Sequence, residues 1–453
     1  MLIVLSDLHF SEAQSTQIGD LRFNRNLSSE IYQDFFSEIN QVVHANGIQK
    51  LDFVLAGDIL ELTRSGYWLD GEDRPYLDNR SVAERSGTEK TLLKIIDAIF
   101  SEEKVAETIH AFGNLQNFID CEVSLHYILG NHDRLANATP AVRRRVRGIF
   151  GLAGDDALFE HTFIFGDEED QPLCLVRHGH EYDQMNFSIN TDGLEMIPTN
   201  FTEEVYGKPC LGDIITIEFG GALPRYFIET YGESAILNDP QLLALYKRLM
   251  AFDDVRPTTA LLAYLFSMPD VKKRLTWELM KPSIEKALDT ISDNRALSDL
   301  IQDSKSLSKG QRVLLDGILD LDLLEGGVPY WMVKQMIKNV SKQIKLKSQI
   351  RWAKREELII DPNAGCKCVI SGHTHFPEFS LISSRKGDEK YYINTGTWRN
   401  IIPATKNFKE FGMLEAMTRV FLFNGTERNH ASQGSSWSFQ YLSGVNFGNH
   451  RYI

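Results

Sequence analysis

Two histidines that follow an apolar run and a glycine are the first residues of this sequence whose types and spacing suggest chemistry. They are His373 and His375, in the segment Ile370-Ser371-Gly372-His373-Thr374-His375. The run before them is typical of a buried strand, and the glycine allows a tight turn at its end. Neutral imidazole is the commonest protein ligand of a catalytic transition metal. A histidine pair at a strand end is more often structural than ligating, so the pair predicts a metal site only together with other residues.

Four other segments repeat this pattern of an apolar run that ends in polar side chains. The polar segments are Asp7-Leu8-His9, Gly57-Asp58-Ile59-Leu60-Glu61, Gly130-Asn131-His132-Asp133 and Arg177-His178-Gly179-His180. Each of them follows a run that reads as a β-strand, and functional side chains in α/β sheets gather just beyond the carboxyl ends of strands. We therefore expect the five segments to converge on one site.

Seven of these polar residues have the side chains that a pair of divalent cations needs. Two such ions about 3.5–4 Å apart, the spacing used for phosphoryl displacement, require one carboxylate that bridges both of them. Imidazoles and further oxygens complete the two coordination shells. Five such segments are hard to obtain by chance, although each alone is weak. The predicted metal ligands are Asp7, His9, Asp58, Asn131, His178, His373 and His375.

The elements that must position these residues predict an α/β protein with a long, mostly helical insertion. Strand-like and helix-like segments alternate in residues 1–190, helical periodicity dominates residues 191–361, and strand-like runs return in residues 362–453. We expect two parts of one core with the insertion, a cap, between them. Three helical elements are expected: one stretch from Thr88 to Phe118, a helix that begins at Pro140, and a lysine-bearing helix around Trp331 to Ile344. Two strands, Tyr391–Asn394 and Met413–Phe423, are expected in a second sheet.

Composition restricts the classes of function and location. The chain has 453 residues, of which 43% are hydrophobic and 24% charged, and its net charge of −14 argues against a protein that coats nucleic acid or an anionic membrane. The apolar start Leu2–Leu5 is too short for a signal peptide, and the apolar stretch Ala260–Met268 is too short to span a bilayer. The five cysteines, Cys121, Cys174, Cys210, Cys366 and Cys368, are scattered and fit a reducing compartment. We expect a cytoplasmic protein without a transmembrane segment.

The polar segments also carry a resemblance to a known family. In this order, Asp-x-His, Gly-Asp-x-x-Glu, Gly-Asn-His-Asp, His-Gly-His and Gly-His-Thr-His resemble the motifs of the calcineurin-like metallophosphoesterases, which are binuclear metal phosphoesterases. The resemblance covers roughly residues 1–185 and 365–425 and leaves the helical insertion outside. It implies a four-layer α/β/β/α sandwich with the site at the strand ends.

The resemblance also implies which residue binds which ion. Carried over residue by residue, the first ion is held by Asp7, His9, Asp58 and His375, and the second by Asp58, Asn131, His178 and His373. Asp58 would bridge the two ions. The family ligand in His-Gly-His is the first histidine, which favours His178 over His180. We expect manganese, although iron, zinc, nickel and magnesium also suit these ligands.

The chemistry implied by the resemblance is hydrolysis of a phosphate ester by a metal-bridging hydroxide. His132 would lie beside the substrate without binding metal, and Glu61 would orient it. The family often has Asp where this chain has Glu61. We therefore take Asp58, Glu61 and His132 as the catalytic residues. A small-molecule, nucleotide or lipid-linked phosphate ester is the expected substrate, because Leu62 stands where the protein Ser/Thr phosphatases have an arginine.

Two other functions are compatible with the sequence. A metal-dependent nuclease could use the arginines of segment 143–147 and the lysines of the Trp331–Ile344 helix along a phosphate backbone, but the acidic net charge and the lack of evident base-stacking aromatics disfavour nucleic acid as a partner. A non-catalytic scaffold could bind a protein through the helical insertion, because a fold alone does not prove an activity. The sequence leaves open the substrate, mono- or diesterase activity, the oligomeric state and any partner of the insertion.

Overall fold

Two mixed β-sheets and the helices that flank them make up the part of the chain that the computed structural model describes. That part is residues 1–453 without residues 24, 77–85, 168, 258–259, 269–270, 293–348, 386–387, 426, 428–436 and 447–453. The predicted α/β class is thereby confirmed. The predicted lysine-bearing helix around Trp331 to Ile344 lies outside the described residues.

The strands and helices follow the strand and helix periodicity of the sequence. In chain order the strands are β1 (Leu2–Leu5), β2 (Gln17–Ile18), β3 (Leu21–Arg22), β4 (Lys50–Ala56), β5 (Glu122–Ile128), β6 (Thr162–Gly166), β7 (Pro172–Arg177), β8 (Val255–Arg256), β9 (Cys368–Ser371), β10 (Pro377–Arg385), β11 (Asp388–Thr395), β12 (Trp398–Pro403), β13 (Leu414–Phe423) and β14 (Ser438–Asn446). The helices are α1 (Ser29–Asn46), α2 (Ser86–Phe100), α3 (Glu103–Gly113), α4 (Pro140–Phe150), α5 (Glu203–Gly207), α6 (Leu211–Ile215), α7 (Ala222–Tyr231), α8 (Glu233–Asn238), α9 (Pro240–Met250), α10 (Leu261–Leu265), α11 (Lys273–Ser292), α12 (Ile350–Ala353) and α13 (Glu357–Ile360).

The first sheet contains the strands that precede three of the five polar segments. Its order is β5-β4-β1-β13-β12-β8, and β14 pairs with β13. Strands β1, β4 and β5 are mutually parallel, so their carboxyl ends lie at one edge of the sheet. The polar segments that begin at Asp7, Gly57 and Gly130 therefore start side by side.

The second sheet contains the strands that precede the other two polar segments. Its order is β10-β11-β9-β7-β6, and β7 runs parallel to β9. The carboxyl ends of these two strands deliver His178 and the His373/His375 pair. The two sheets pack against each other through a buried apolar layer that includes Val4, Val54, Val176 and Ile370.

Helices cover the outer faces of both sheets. Helices α1 to α4 pack on the first sheet, and α1 buries Tyr32, Phe35, Phe36 and Ile39 along one face. This spacing of three and four residues is that of an amphipathic helix. On the second sheet, Val369 and Tyr392 pack with Ala353 of α12 and Ile359 of α13. None of the helices in the described ranges is both long and apolar enough to cross a membrane.

Several predicted elements agree with the structure and others do not. The helix predicted from Pro140 is confirmed as α4, and the hydroxyl of Thr139 caps it by accepting from Val142 N at 3.3 Å. The single helical stretch from Thr88 to Phe118 is wrong, because α2 and α3 are separate helices. The strand predicted at Met413–Phe423 exists as β13 but belongs to the first sheet, where it pairs antiparallel with β1.

The predicted insertion is mostly helical in its described part but also contributes a strand. Its helices form a second apolar cluster, which includes Phe227, Leu245 and Met280 and also takes in Ile18 of β2. Strand β8 lies inside the insertion and pairs in parallel with β12 of the first sheet, where Val255 lies opposite Ile402. The insertion is thus tied to the core by backbone hydrogen bonds as well as by packing.

We expect Trp398→Ala to lower the free energy of unfolding by about 3–5 kcal/mol, because it empties a large buried site. The Trp398 ring is fully buried, stacks 5.3 Å from the Tyr32 ring, and donates from Nε1 to Thr418 O at 2.7 Å. Urea denaturation measures the effect. The control Leu158→Ala removes a side chain that is 48% exposed and should change stability by about 0.5 kcal/mol. Equal losses in the two variants would contradict the packing described here.

Candidate metal centre

The loops that follow the five strands hold one another through backbone hydrogen bonds. Asp7 N donates to Gly57 O at 3.0 Å, and His9 N donates to Asp58 O at 2.8 Å. In the second sheet, Gly372 N donates to His178 O at 2.8 Å. The predicted ligand residues are therefore fixed in space by main-chain contacts that do not depend on their side chains.

A first group of ligating atoms consists of Asp7, His9 and His375. His375 Nε2 lies 3.2 Å from Asp7 Oδ1 and 3.1 Å from His9 Nε2. His9 Nε2 lies 3.8 Å from Asp7 Oδ1. All three side chains are buried, and their geometry could hold a metal ion.

A second group consists of Asp58, His178 and His373. His178 Nε2 lies 3.0 Å from Asp58 Oδ2, and the three ligating atoms lie within 4.8 Å of one another. The same Asp58 Oδ2 is 3.6 Å from His9 Nε2 of the first group. One carboxylate oxygen therefore lies between the two groups, in the position that a bridging ligand requires.

At three of the four histidines, a hydrogen bond occupies one ring nitrogen and leaves the other available to bind a metal ion. His9 Nδ1 donates to Glu61 Oε2 at 3.0 Å, and His178 Nδ1 donates to Ala56 O at 2.9 Å. Their Nε2 atoms remain as electron-pair donors. His373 is held the other way round, since its Nε2 donates to Asp183 Oδ2 at 3.1 Å and leaves Nδ1.

Two predicted ligand atoms are buried without a hydrogen bond of normal geometry among the described residues. They are Asn131 Oδ1 and His178 Nε2, of which the second has an ion-pair contact with Asp58 Oδ2 at 3.0 Å. Buried polar atoms nearly always have a partner, and a bound ion or water is one explanation for an atom that lacks one. An amide oxygen and an imidazole nitrogen are both ligands of divalent transition cations. The residues present therefore fit a cation at each group.

His132 and Glu61 form a hydrogen-bonded pair beside the first group. His132 Nδ1 donates to Glu61 Oε1 at 2.8 Å, and the Thr63 hydroxyl donates to the same oxygen at 2.9 Å. His9, Glu61 and His132 also lie close enough to be a third possible ion site. His9 approaches Glu61 through Nδ1, however, whereas its Nε2 faces Asp7 and Asp58. Glu61 thus hydrogen-bonds both imidazoles, through Oε2 to His9 and through Oε1 to His132.

His178 and His180 have different surroundings, although both are buried. His178 contacts Asp58, whereas His180 lies outside both groups and packs edge-on against Phe187. Burial lowers the pKa of His180 to about 3 and keeps it neutral. The choice of His178 as the ligand stays a prediction, and this geometry favours it.

Electrostatics couple the buried carboxylates to the imidazoles. Burial alone would raise the pKa of Asp58, but His178 and His132 hold it well below its ordinary value. Conversely, burial opposes the charge on His178 and His132, but the neighbouring carboxylates raise the pKa of each to about 10. The site thus favours positive charge beside Asp58, which is the condition that a cation exploits.

Most of the predicted ligand residues have a strained backbone. Eight non-glycine residues of the described chain have positive φ angles, and five of them are predicted ligands. These five are Asp7 (57°), His9 (49°), Asp58 (54°), His373 (69°) and His375 (57°). Such conformations are costly for L-residues and concentrate at functional sites, where the surrounding structure enforces them.

Three supporting residues were not assigned a role from the sequence. Asp133 is fully buried and accepts from Ile59 N at 2.8 Å and from Gly130 N at 2.7 Å, so it joins two of the polar segments. The position of Asp133 at the end of the segment Gly-Asn-His-Asp is the sequence feature that could have indicated this role. Asp183, which bonds His373, and Arg256, which contacts His375, had no comparable signal.

Comparisons with known proteins add no family assignment. A scan against models of protein families gave no match, and a search of curated proteins gave no significant match either.

We expect Gly372→Ala to weaken divalent-cation binding by about 10–100-fold, the typical effect of disturbing a residue that supports a metal ligand. A Cβ at this position would lie 2.3 Å from Asp7 Oδ2 and 2.2 Å from Ser6 Oγ. Calorimetric titration with Mn²⁺ measures the affinity. The control is Gly148→Ala in α4, where an added Cβ meets nothing within 4 Å. Equal affinity in wild type and Gly372→Ala would refute the assignment of Asp7.

A second prediction concerns the buried ion pair behind His178. Arg177 Nε lies 3.4 Å from Glu356 Oε1, both side chains are fully buried, and the Tyr182 hydroxyl also donates to Glu356. Burial raises the pKa of Glu356 to about 7, although Arg177 and Tyr182 oppose the shift. The unfolded state loses the proton of Glu356 above pH 4.5, the ordinary pKa of a glutamate. The folded state therefore still holds this proton at pH values between 4.5 and about 7.

Because the folded state binds more protons in this window, the free energy of unfolding should fall as pH rises from about 4.5 to about 7. Glu356→Gln cannot titrate, so wild type should lose on the order of 3 kcal/mol relative to this variant across the window. Denaturant titrations between pH 4.5 and 8 measure the difference. Parallel pH profiles of the two proteins would contradict the raised pKa.

Proposed function

We propose that this chain is a binuclear metal-dependent phosphoesterase of the calcineurin-like metallophosphoesterase type, which hydrolyses phosphate esters. The observation that carries the proposal is the position of Asp58, whose Oδ2 lies 3.0 Å from His178 Nε2 and 3.6 Å from His9 Nε2. A carboxylate oxygen between two sets of imidazoles is the arrangement that two neighbouring cations need.

The packing of helices on both sheets supports the finer fold assignment, a four-layer α/β/β/α sandwich. Helices α1 to α4 lie on the outer face of the first sheet, and α12 and α13 lie on the outer face of the second. The two sheets face each other across their shared apolar layer. In such an architecture the strand ends of both sheets can supply one site.

In this proposal Asp7, His9 and His375 hold one cation, and Asn131, His178 and His373 hold the other. Asp58 belongs to both. The cations, for which manganese is our expectation, would supply Lewis-acid polarisation of the phosphoryl oxygens and acidify a water molecule. The protein supplies fixed ligands, a buried setting and the proton donor described next.

His132 is the proposed general acid. Glu61 and Thr63 fix its Nδ1 edge, so the ring presents Nε2 on the opposite side. Because neighbouring Glu61 and Asp58 offset the effect of burial and raise its pKa to about 10, His132 carries its proton at neutral pH. Nε2–H can then donate to the leaving-group oxygen as the P–O bond breaks.

The expected substrate, a small-molecule, nucleotide or lipid-linked phosphate ester, follows from the sequence, in which Leu62 stands where the protein Ser/Thr phosphatases have an arginine. A cavity of about 660 Å³, whose lining includes Gln14, Arg64, Tyr246 and Met250, contains none of the proposed metal ligands or catalytic residues in its lining and carries no part of this proposal.

The contacts of the α4 arginines weaken the nuclease alternative. Arg144 lies 3.2 Å from Asp156, Arg145 lies 2.6 Å from Asp97, and Arg147 donates to backbone carbonyls that include Leu158 O. These guanidinium groups thus already have partners within the chain. The scaffold alternative is disfavoured because every predicted ligand is present.

We expect wild-type protein with Mn²⁺ to hydrolyse p-nitrophenyl phosphate, its bis-ester, or both, and the ratio of rates separates a mono- from a diesterase. His132→Ala should keep both metals and lose about 10²–10⁴-fold in turnover, because it removes only the proton donor. Asp58→Asn should lose metal, since it removes the shared charge. Metal analysis and rate measurements on the three proteins test this.

Two outcomes would contradict the proposal. Loss of both metals from His132→Ala would mean that His132 is a ligand, and an unchanged metal content in Asp58→Asn would remove the bridging role. Wild-type protein that binds no divalent cation would refute the metal site itself.

A further inference from the structure

Arg256 approaches the first metal-ligand group from the predicted insertion. It is the last residue of β8, whose pairing with β12 fixes its backbone, and its side chain is buried. Nη1 donates to Asp253 O at 2.6 Å and to Val255 O at 2.9 Å. Nη2 lies 2.6 Å from His375 Nδ1.

This last contact determines which nitrogen of His375 carries the proton. A guanidinium group can only donate hydrogen bonds, so His375 Nδ1 must accept. In a neutral imidazole the proton then resides on Nε2. Nε2 is the atom that faces Asp7 Oδ1 at 3.2 Å and His9 Nε2 at 3.1 Å, where the cation would bind.

The hydrogen bond to Arg256 and cation binding are therefore mutually exclusive. A cation bound at Nε2 would occupy the electron pair of that atom, so the proton of the neutral ring would reside on Nδ1. Two N–H groups cannot face each other at 2.6 Å, so Arg256 Nη2 must leave His375. His9, His178 and His373 have no such conflict, because their second ring nitrogens donate to oxygen acceptors.

A released Arg256 Nη2 requires another acceptor. Arg64 and Arg399 each lie 3.2 Å from Asp253, but no carboxylate of the described residues lies within ion-pair distance of Arg256. A buried guanidinium nitrogen without a partner is unfavourable. Phosphoryl oxygens match the planar donor pattern of arginine, and the proposed cations would bring them to this place.

We propose that Arg256 binds a phosphoryl oxygen of the substrate and that the cation bound at His375 Nε2 releases it for this role. This inference rests on the proposed phosphoesterase function and adds a substrate-binding residue from the insertion. It also couples the two binding events, because Arg256 becomes available only when the cation is bound.

Cation affinity is the first test. Arg256→Met has no donor for His375 Nδ1, so we expect Mn²⁺ to bind the first group about 10-fold more tightly than in wild type, as measured by calorimetry. The matched control is Arg248→Met, which removes a guanidinium bonded to Ser267 Oγ in the same insertion and should leave the affinity unchanged. Equal or weaker binding by Arg256→Met would overturn the competition between Arg256 and the cation.

Phosphate affinity is the second test. Inorganic phosphate should bind Mn²⁺-loaded Arg256→Met about 10–100-fold more weakly than loaded wild type, because one charge-assisted bond is lost. Arg248→Met should bind phosphate as wild type does. Equal phosphate affinity of loaded wild type and loaded Arg256→Met would overturn the phosphate-binding role.

A third test uses the wild-type protein and does not depend on the folding of a variant. The ¹⁵N resonances of His375 report which ring nitrogen carries the proton, and Zn²⁺ avoids paramagnetic broadening. We expect the proton to move from Nε2 to Nδ1 when Zn²⁺ is added. A proton that already resides on Nδ1 before Zn²⁺ is added would overturn the release mechanism.

Different experimental results would refute the phosphoesterase function and the role of Arg256. Wild-type protein that binds no divalent cation refutes the phosphoesterase function and the release of Arg256 with it. Wild-type protein that binds Mn²⁺ and hydrolyses phosphate esters, with an Arg256→Met variant of unchanged cation and phosphate affinity, refutes only the role of Arg256.

Discussion

The buried carboxylate of Asp58 is the constraint on which the rest of the structure depends. Its Oδ2 contacts imidazoles from both sheets, His9 from the first and His178 from the second, and its Oδ1 accepts from His132 N at 2.8 Å. A charged carboxylate is expensive to bury unless it is paired and hydrogen-bonded. The strand ends of both sheets must therefore keep their relative positions to compensate this charge. The apolar layer between the sheets maintains that alignment, so packing in the core and electrostatics at the site are coupled.

The backbone conformation of the polar segments is the second part of that constraint. Left-handed conformations cost roughly 1 kcal/mol or more at each L-residue, and five predicted ligands adopt them. The loops compensate with contacts to one another, such as Asp7 N to Gly57 O at 3.0 Å and Trp398 N to Asp7 O at 3.4 Å. The Thr397 hydroxyl adds a bond to Asp7 O at 2.6 Å. The strain is therefore stabilised by segments that bind no metal themselves.

Local signals explain what could be predicted from the sequence. Strands β1, β4, β5, β7 and β9 directly precede the five polar segments, as the sequence predicts, because an apolar run and the turn after it are encoded locally. The grouping of the polar segments followed from the rule that strand ends carry function. Sheet membership of β13 could not be predicted, because it depends on pairing with a strand more than four hundred residues away. Arg256 was missed for the same reason: it reaches His375 only because β8 adds to the edge of β12.

The position of β1 between β4 and β13 has a consequence for biosynthesis. A ribosome makes residues 2–5 more than four hundred residues before their antiparallel partner, residues 414–423. A nascent chain that has reached residue 190 already contains Asp7, His9, Asp58, Asn131 and His178 but leaves one edge of β1 unpaired. Unpaired edges favour pairing with other strands, including those of neighbouring nascent chains. Translation must therefore pass residue 423 before β1 is paired on both sides, and until then the first sheet, which supports the site, is incomplete.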